Sequence, residues 1–215
     1  MDNPYQPPLA EAPSYRVTGA LRPLRPLANV SLRLYGVSTM LQLADHVYRM
    51  VVPLPFEGSG NIHDTYHVEG IGILDGLMIA TGLASSVLYL VWKYRAAFNA
   101  RILDPATMTV SPAMAVGSYF IPLVNFVVPY QAMAGIARAS RLQQKDVGLW
   151  WAGHVGCLLL TIAYFFVEGM ETPLRPTLLD HVFMVVAVLT FYFSWVLVTR
   201  ITRAQMDEGW RDKAG

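Results

Sequence analysis

Four ionisable residues, Asp45, His46, Arg49 and Asp75, lie in or beside otherwise apolar stretches of the chain. Ionisable groups at membrane depth are costly, so they usually face one another, water or a solute. Asp45 and Arg49 are four apart and can pair along one helix, and Asp75 can meet Arg49 or His46 from a neighbouring helix. Their chemistry is that of a polar vestibule for an ion, a proton or a small solute, or of an interhelical clamp near the membrane surface. A second arrangement is Asn125 between Pro122 and Pro129 in S-P-A-M-A-V-G-S-Y-F-I-P-L-V-N-F-V-V-P-Y-Q. Proline removes a backbone donor and clashes with the preceding turn, so this stretch is not a straight helix. Broken backbone at membrane depth must be covered by protein or water. Its free carbonyls and amides can coordinate a cation or an anionic head group. Asn125 and Gln131 could line such a site, with Arg95 and Asn99 reaching it from one face; otherwise Asn125 caps its own broken backbone.

A third arrangement is weaker. His63 and His67 are four apart with Glu57, Asp64 and Glu69 nearby. One helical turn could bring both imidazoles to a metal, but structural zinc generally needs four ligands. A solvated acidic loop is the expected reading, and no metal or other cofactor is expected. No Ser/His/Asp set, phosphate loop or pair of catalytic carboxylates appears at a workable spacing. The chain is therefore read as non-enzymatic.

The elements that position these residues follow from composition. The 215 residues are 54% hydrophobic and 14% charged, with a mean hydropathy of +0.38. Soluble domains carry about 25% charged residues. The apolar residues fall in runs of about 20, the length needed to cross ~30 Å of hydrocarbon, without the alternation of a β-barrel. The class is an all-α integral membrane protein. A net charge of +1 gives no footprint for nucleic acid. The lone Cys157 permits no internal disulfide. The first residues lack an apolar core followed by a small-residue cleavage site, so no removable leader is expected.

In chain order, residues 1–26 read as a disordered Pro-rich cytoplasmic tail. Residues 27–203 form a membrane helical domain, and residues 204–215 a polar C-terminal tail. Full spans are expected at about 27–52, 70–94, 147–167 and 177–199, with the broken element at 113–137. Gly72, Gly76, Ala80 and Ala84 recur every four residues, a small-residue stripe suited to close helix packing and to homo-oligomerisation. Trp92, Trp150, Trp151 and Trp195 read as interfacial anchors.

Lys and Arg near short loops stay cytoplasmic. If the broken element crosses, giving five transmembrane helices, the sixteen Lys and Arg divide eight and eight. If it enters and returns, only Arg49 and Arg175 lie outside, and the acidic loop residues Glu57, Asp64, Glu69, Glu168 and Glu171 gather there too. The charge bias favours four transmembrane helices plus a proline-broken re-entrant segment, with both termini cytoplasmic. The basic cytoplasmic surface, including Arg138, Arg141 and Lys145, would suit a protein partner or anionic lipid.

These residues also resemble a known family. Trp92, Arg95 and Asn99, then Tyr119, Phe120, Pro122, Asn125 and Pro129, then Trp150 and Trp151, resemble the pattern of a bacterial multi-pass membrane family, domain of unknown function 4328. Tyr119 stands where that pattern has Trp. The resemblance covers roughly residues 20 to 205 and implies a multi-pass protein of a bacterial cytoplasmic membrane. It implies no activity. The functional expectation is passage or sensing of a small solute or ion at the broken helix, the alternative being a scaffold or accessory subunit.

Overall fold

The computed structural model describes residues 20–51, 63–168 and 176–207, with side chains described from 73 to 166 in the middle segment. The leader to residue 19, residues 52–62 with Glu57, residues 169–175 with Glu171, and residues 208–215 lie outside the described residues. So do the side chains of His63, Asp64, His67, Glu69, Gly72 and Glu168.

Among the described residues all regular structure is helical: α1 (Arg25–Val51), α2 (His63–Leu103), α3 (Pro112–Gly117), α4 (Val128–Ala139), α5 (Gln144–Glu168) and α6 (Leu178–Met206), with short 3-10 turns at 105–107, 118–120 and 124–126. The ends follow local chemistry. Ser111 accepts from the Met114 amide and Pro112 opens α3. Thr177 and Asp180 form a reciprocal capping box at the start of α6, satisfying amides that a helix start leaves orphaned.

Three helices are long and apolar enough to cross a membrane: Ile73–Leu103 within α2, Gln144–Phe166 within α5, and α6; a fourth is added if the bent pair Pro112–Phe120 and Val124–Ala139 counts as one span. The first helix does not qualify. At 27 residues α1 is long enough, but Asn29, Arg33, Gln42, Asp45, His46 and Arg49 dilute its apolar character. Two boundaries also shift. Helix α1 begins at Arg25 rather than after residue 26, and α2 runs 41 residues, past Trp92–Arg95 and back to His63. His63 and His67 therefore sit on helical backbone rather than in a loop.

The outward faces are apolar: Ile73, Ile79, Leu83 and Val87 are more than half exposed. Much of the interior is small or hydroxylated, with Ser31, Ser38, Thr39, Ser85, Thr190, Ser194 and Thr202 buried beside Ala96, Ala97 and Ala100. A contiguous exposed apolar surface marks a protein or membrane contact, and small buried residues let helices approach closely. Both features suit a membrane solvent.

Packing pairs read out the topology. Ser31 Oγ donates to the Ser85 carbonyl (3.1 Å) and Ser85 Oγ to the Ser31 carbonyl (2.9 Å), while Ser38 Oγ donates to the Met78 carbonyl. Helices α1 and α2 are thus antiparallel. Asp146 meets Arg200 and Cys157 meets Thr190, so α5 and α6 are antiparallel. Trp92 Nε1 donates to Thr202 Oγ1 (3.0 Å) and Gln205 Nε2 to the Ala96 carbonyl (3.3 Å), so α2 and α6 run parallel. The C-terminal end of α2 and the N-terminal end of α5 therefore share one end of the bundle. At that end the connector after α2 meets α4: Arg138 donates to the Thr107 carbonyl (3.3 Å), and Gly135 packs against Thr107 and Met108.

The segment leading into α1 is tied to the same end. The Arg22 amide donates to Asn99 Oδ1 (2.8 Å) and Asn99 Nδ2 donates to the Arg22 carbonyl (2.9 Å). Arg95 donates to the Pro23 carbonyl (3.2 Å). Asn99 is fully buried and mimics a paired peptide unit.

Two outcomes test this packing. A Cβ at Gly135 would lie 2.9 Å from the Thr107 carbonyl oxygen, and one at Gly153 would collide with Thr190 Oγ1, whereas Gly148 has open space. Gly135→Ala and Gly153→Ala should each lower unfolding stability in detergent by about 1–3 kcal/mol, while Gly148→Ala gains up to about 1 kcal/mol from helix propensity. Asn99→Leu strands both backbone groups of Arg22 and should cost about 1–3 kcal/mol. Hydrogen exchange should show the Arg22 amide losing protection.

Candidate functional site

The break is built from local rules. Pro122 has no amide to continue the ladder, and the Val124 amide instead donates back to the Pro122 carbonyl (2.7 Å). That tight turn places Leu123 at φ 65° and ψ −45°, a rare and strained turn for a residue with a Cβ. Pro129 falls in the first turn of α4, where its missing N–H would be unpartnered in any case. The chain bends by 118° between the two limbs.

An amine does occupy the broken element, and it is the chain's own. Lys93 is fully buried. Its Nζ donates to the Tyr119 hydroxyl (2.8 Å) and to the Pro129 carbonyl (3.1 Å). It also lies 4.5 Å from the Tyr119 ring centre and 5.4 Å from that of Trp150. One hydroxyl, one carbonyl and two aromatic faces make an amine cage. No carboxylate pairs with Lys93 among the described residues. Sequence alone hides Lys93, because it stands among Trp92, Tyr94 and Arg95, which look like an interfacial exit. Trp92 and Trp150 are likewise fully buried, and are core residues rather than interfacial anchors.

The residues expected at the broken helix are dispersed. Pro129 is buried and its carbonyl serves Lys93. Pro122 and Gln131 are exposed. Asn125 is half-buried, and its side chain forms no hydrogen bond among the described residues, so it does not cap the break. Asn99 and Arg95 hold the backbone of residues 22 and 23 and do not reach the break.

The four ionisable residues do converge. Asp45, His46, Arg49 and Asp75 line one cavity of about 340 Å³ at the other end of the bundle, together with Gln42, Asp180 and Tyr164. Arg49 Nε donates to Asp45 (2.8 Å). His46 meets His181 edge to face, with ring centres 4.8 Å apart. Asp180 is spent on the Thr177 cap. Asp75 has no ionic partner among the described residues. Asp180 and His181 carry no local signal in the sequence, because antiparallel packing of α1 on α6, not spacing along the chain, brings them to His46.

A second cavity of about 460 Å³ lies deeper. Gln42 lines both, so the two are neighbours. Serines of α1, α2 and α6 line it, with Tyr35, Tyr89 and His154, and Tyr119 and Phe120 from the broken element. Tyr119 thus has the cavity on one side and Lys93 on the other. The sequence carried a signal for this in the serines at 31, 38, 85, 86 and 194, each set in an apolar run.

The small-residue stripe faces outward. Gly76, Ala80 and Ala84 are exposed on α2, and a Cβ added at Gly76 would meet nothing within 4 Å.

No curated protein and no solved structure matches the chain. The family model described as Domain of unknown function (DUF4328) matches residues 69–203. That span takes in Trp92, Lys93, Tyr119, both prolines of the break and Trp150, the residues that meet around the buried amine. The chain belongs to the DUF4328 family.

Proposed function

We propose that this is a non-enzymatic, four-span protein of a bacterial cytoplasmic membrane that admits a small polar solute or ion from the outer side into its polar interior. Helix α1 is the fourth span, made less apolar by the residues that line the cavities. Residues 113–137 are re-entrant and both termini are cytoplasmic. The two limbs support this: at 1.5 Å per residue they reach roughly 14 and 24 Å, each short of the ~30 Å needed to cross. A 118° bend turns the second limb back rather than onward.

The observation that carries the functional reading is the pair of adjoining cavities. They run from Asp75 at the outer end, past the shared Gln42, to Tyr119 of the broken element. A carboxylate facing a cavity costs free energy unless satisfied, and Asp75, with no ionic partner among the described residues, favours positive charge at the mouth. Exposed Gly76, Ala80 and Ala84 suit self-association in the bilayer. The exposed Arg138 and Lys145, with Arg141, support a second reading in which the inner face also docks a protein or anionic lipid.

Cysteine labelling in a Cys157→Ala background tests both parts. Ala106→Cys and Lys145→Cys flank the broken element and are exposed. Both should react with an impermeant thiol reagent from the cytoplasmic side only; reaction from opposite sides would make the element a crossing. Gln42→Cys should react from outside, whereas Leu83→Cys on the apolar face should not. A cationic methanethiosulfonate should label Gln42→Cys at least tenfold faster than an anionic one, and Asp75→Asn should shrink that ratio. An inert Gln42→Cys would end the solute reading.

A further inference from the structure

Apart from the polar interior, we infer that the groove between α1 and α6 on the lipid-facing surface binds a single anionic phospholipid, its phosphate held by Arg33 and one acyl chain laid along Gly36, Val37, Met40 and Ala44. The groove encloses about 770 Å³, and α6 supplies its second wall through Phe191 and Trp195. Gly36 makes room for the Phe191 ring, since a Cβ there would lie 3.2 Å from it. Tyr35 and Trp195 hold the same ring edge to face, with ring centres 5.1 and 5.9 Å away. The groove therefore has a fixed floor. Val37, Met40 and Trp195 are each about half exposed, so it stands open to the bilayer.

Charge and length both point to a lipid. Arg33 is the one charged side chain lining the groove; it is exposed and forms no ion pair among the described residues. A bare charge on a face turned to lipid is costly, but the long arginine stem lets its head reach the head groups. The planar guanidinium matches a phosphate through two parallel hydrogen bonds. No carboxylate lines the groove to receive the ammonium of a zwitterionic head group, so a net anionic lipid is favoured. Arg33 lies about 12 Å along α1 from Arg25, which pairs with Asp207 at the end of the bundle. That places the head group toward this end and the acyl chain toward the middle. From Arg33 to Ala44 the helix rises about 16 Å, close to the half of ~30 Å that one leaflet supplies. Past Ala44 the apolar surface continues on α1 without a wall from α6, so the two-walled groove ends near mid-bilayer. With both termini cytoplasmic, as proposed above, the lipid belongs to the inner leaflet; the opposite topology would change the leaflet and not the site.

The test places the full chain in phosphatidylcholine nanodiscs and uses Trp195, which lines the groove, as reporter. Phosphatidylglycerol or phosphatidylcholine brominated on its acyl chains serves as quencher, and the Trp195 signal is the difference between the native chain and Trp195→Phe. That signal should be half-quenched at a mole fraction of brominated phosphatidylglycerol at least threefold lower than of brominated phosphatidylcholine. Arg33→Gln should erase the preference, and Lys145→Gln on the inner face should leave it intact. Both side chains are exposed, so neither change disturbs the packing. Equal quenching by the two lipids, a preference that survives Arg33→Gln, or one that is lost in Lys145→Gln overturns the assignment. A Trp195 quenched by neither lipid shows the groove covered by a second copy of the chain, and overturns it as well.

Discussion

A helix broken inside an apolar bundle leaves backbone groups and a hinge that the surrounding protein must hold, and here Lys93 is what holds them. The amine reaches from the C-terminal third of α2 to Tyr119 before the break and to the Pro129 carbonyl after it. It thereby fixes both limbs to one neighbour. The arrangement is mutual. Removed from the break, Lys93 would be a buried amine with no acceptor, which apolar surroundings penalise heavily. Without Lys93, the two limbs lose their shared ligand. Trp150 closes the cage from α5, so a third helix is recruited to the same point.

The remaining contacts relay this geometry outward. Trp92, one residue before Lys93, hydrogen-bonds Thr202 of α6. Gln205 of α6 reaches both Ala96 of α2 and Ser140 at the end of α4. Asn99, two turns beyond Trp92, fastens the segment that leads into α1. One end of the bundle is therefore cross-linked by side chains from α2, α4 and α6. The opposite end carries the cavity lined by Asp45, His46, Arg49 and Asp75, where Asp45 and Arg49 pair within α1 and His46 meets His181 of α6.

How much of this can be read from residues alone depends on whether the signal is local. Pro122 and Pro129 announce the break by removing donors at fixed positions, and their effect needs no tertiary information. The convergence of Asp45, His46, Arg49 and Asp75 is legible because intramembrane charge is expensive wherever it lies. Lys93 is not, because a lysine between aromatic residues near the end of an apolar run fits a snorkelling anchor equally well. Only the continuation of α2 to Leu103 carries it inside. The same continuation separates Asn99 and Arg95 from the break, where sequence proximity suggests they belong. Asp180 and His181 depend on α6 lying antiparallel to α1, a relation that no local window contains. In α1 the apolar signal is weakest, since the polar residues that line the cavities also lower its apolarity.

The serines show why a polar interior need not be an open one. Each hydroxyl that donates to a helix carbonyl stays close to its own or the facing backbone, so α1 and α2 can approach at Ser31 and Ser85 without leaving a donor stranded. What these serines then offer the cavity beside them is lone pairs rather than protons, so the character of that wall follows from how the helices are held together.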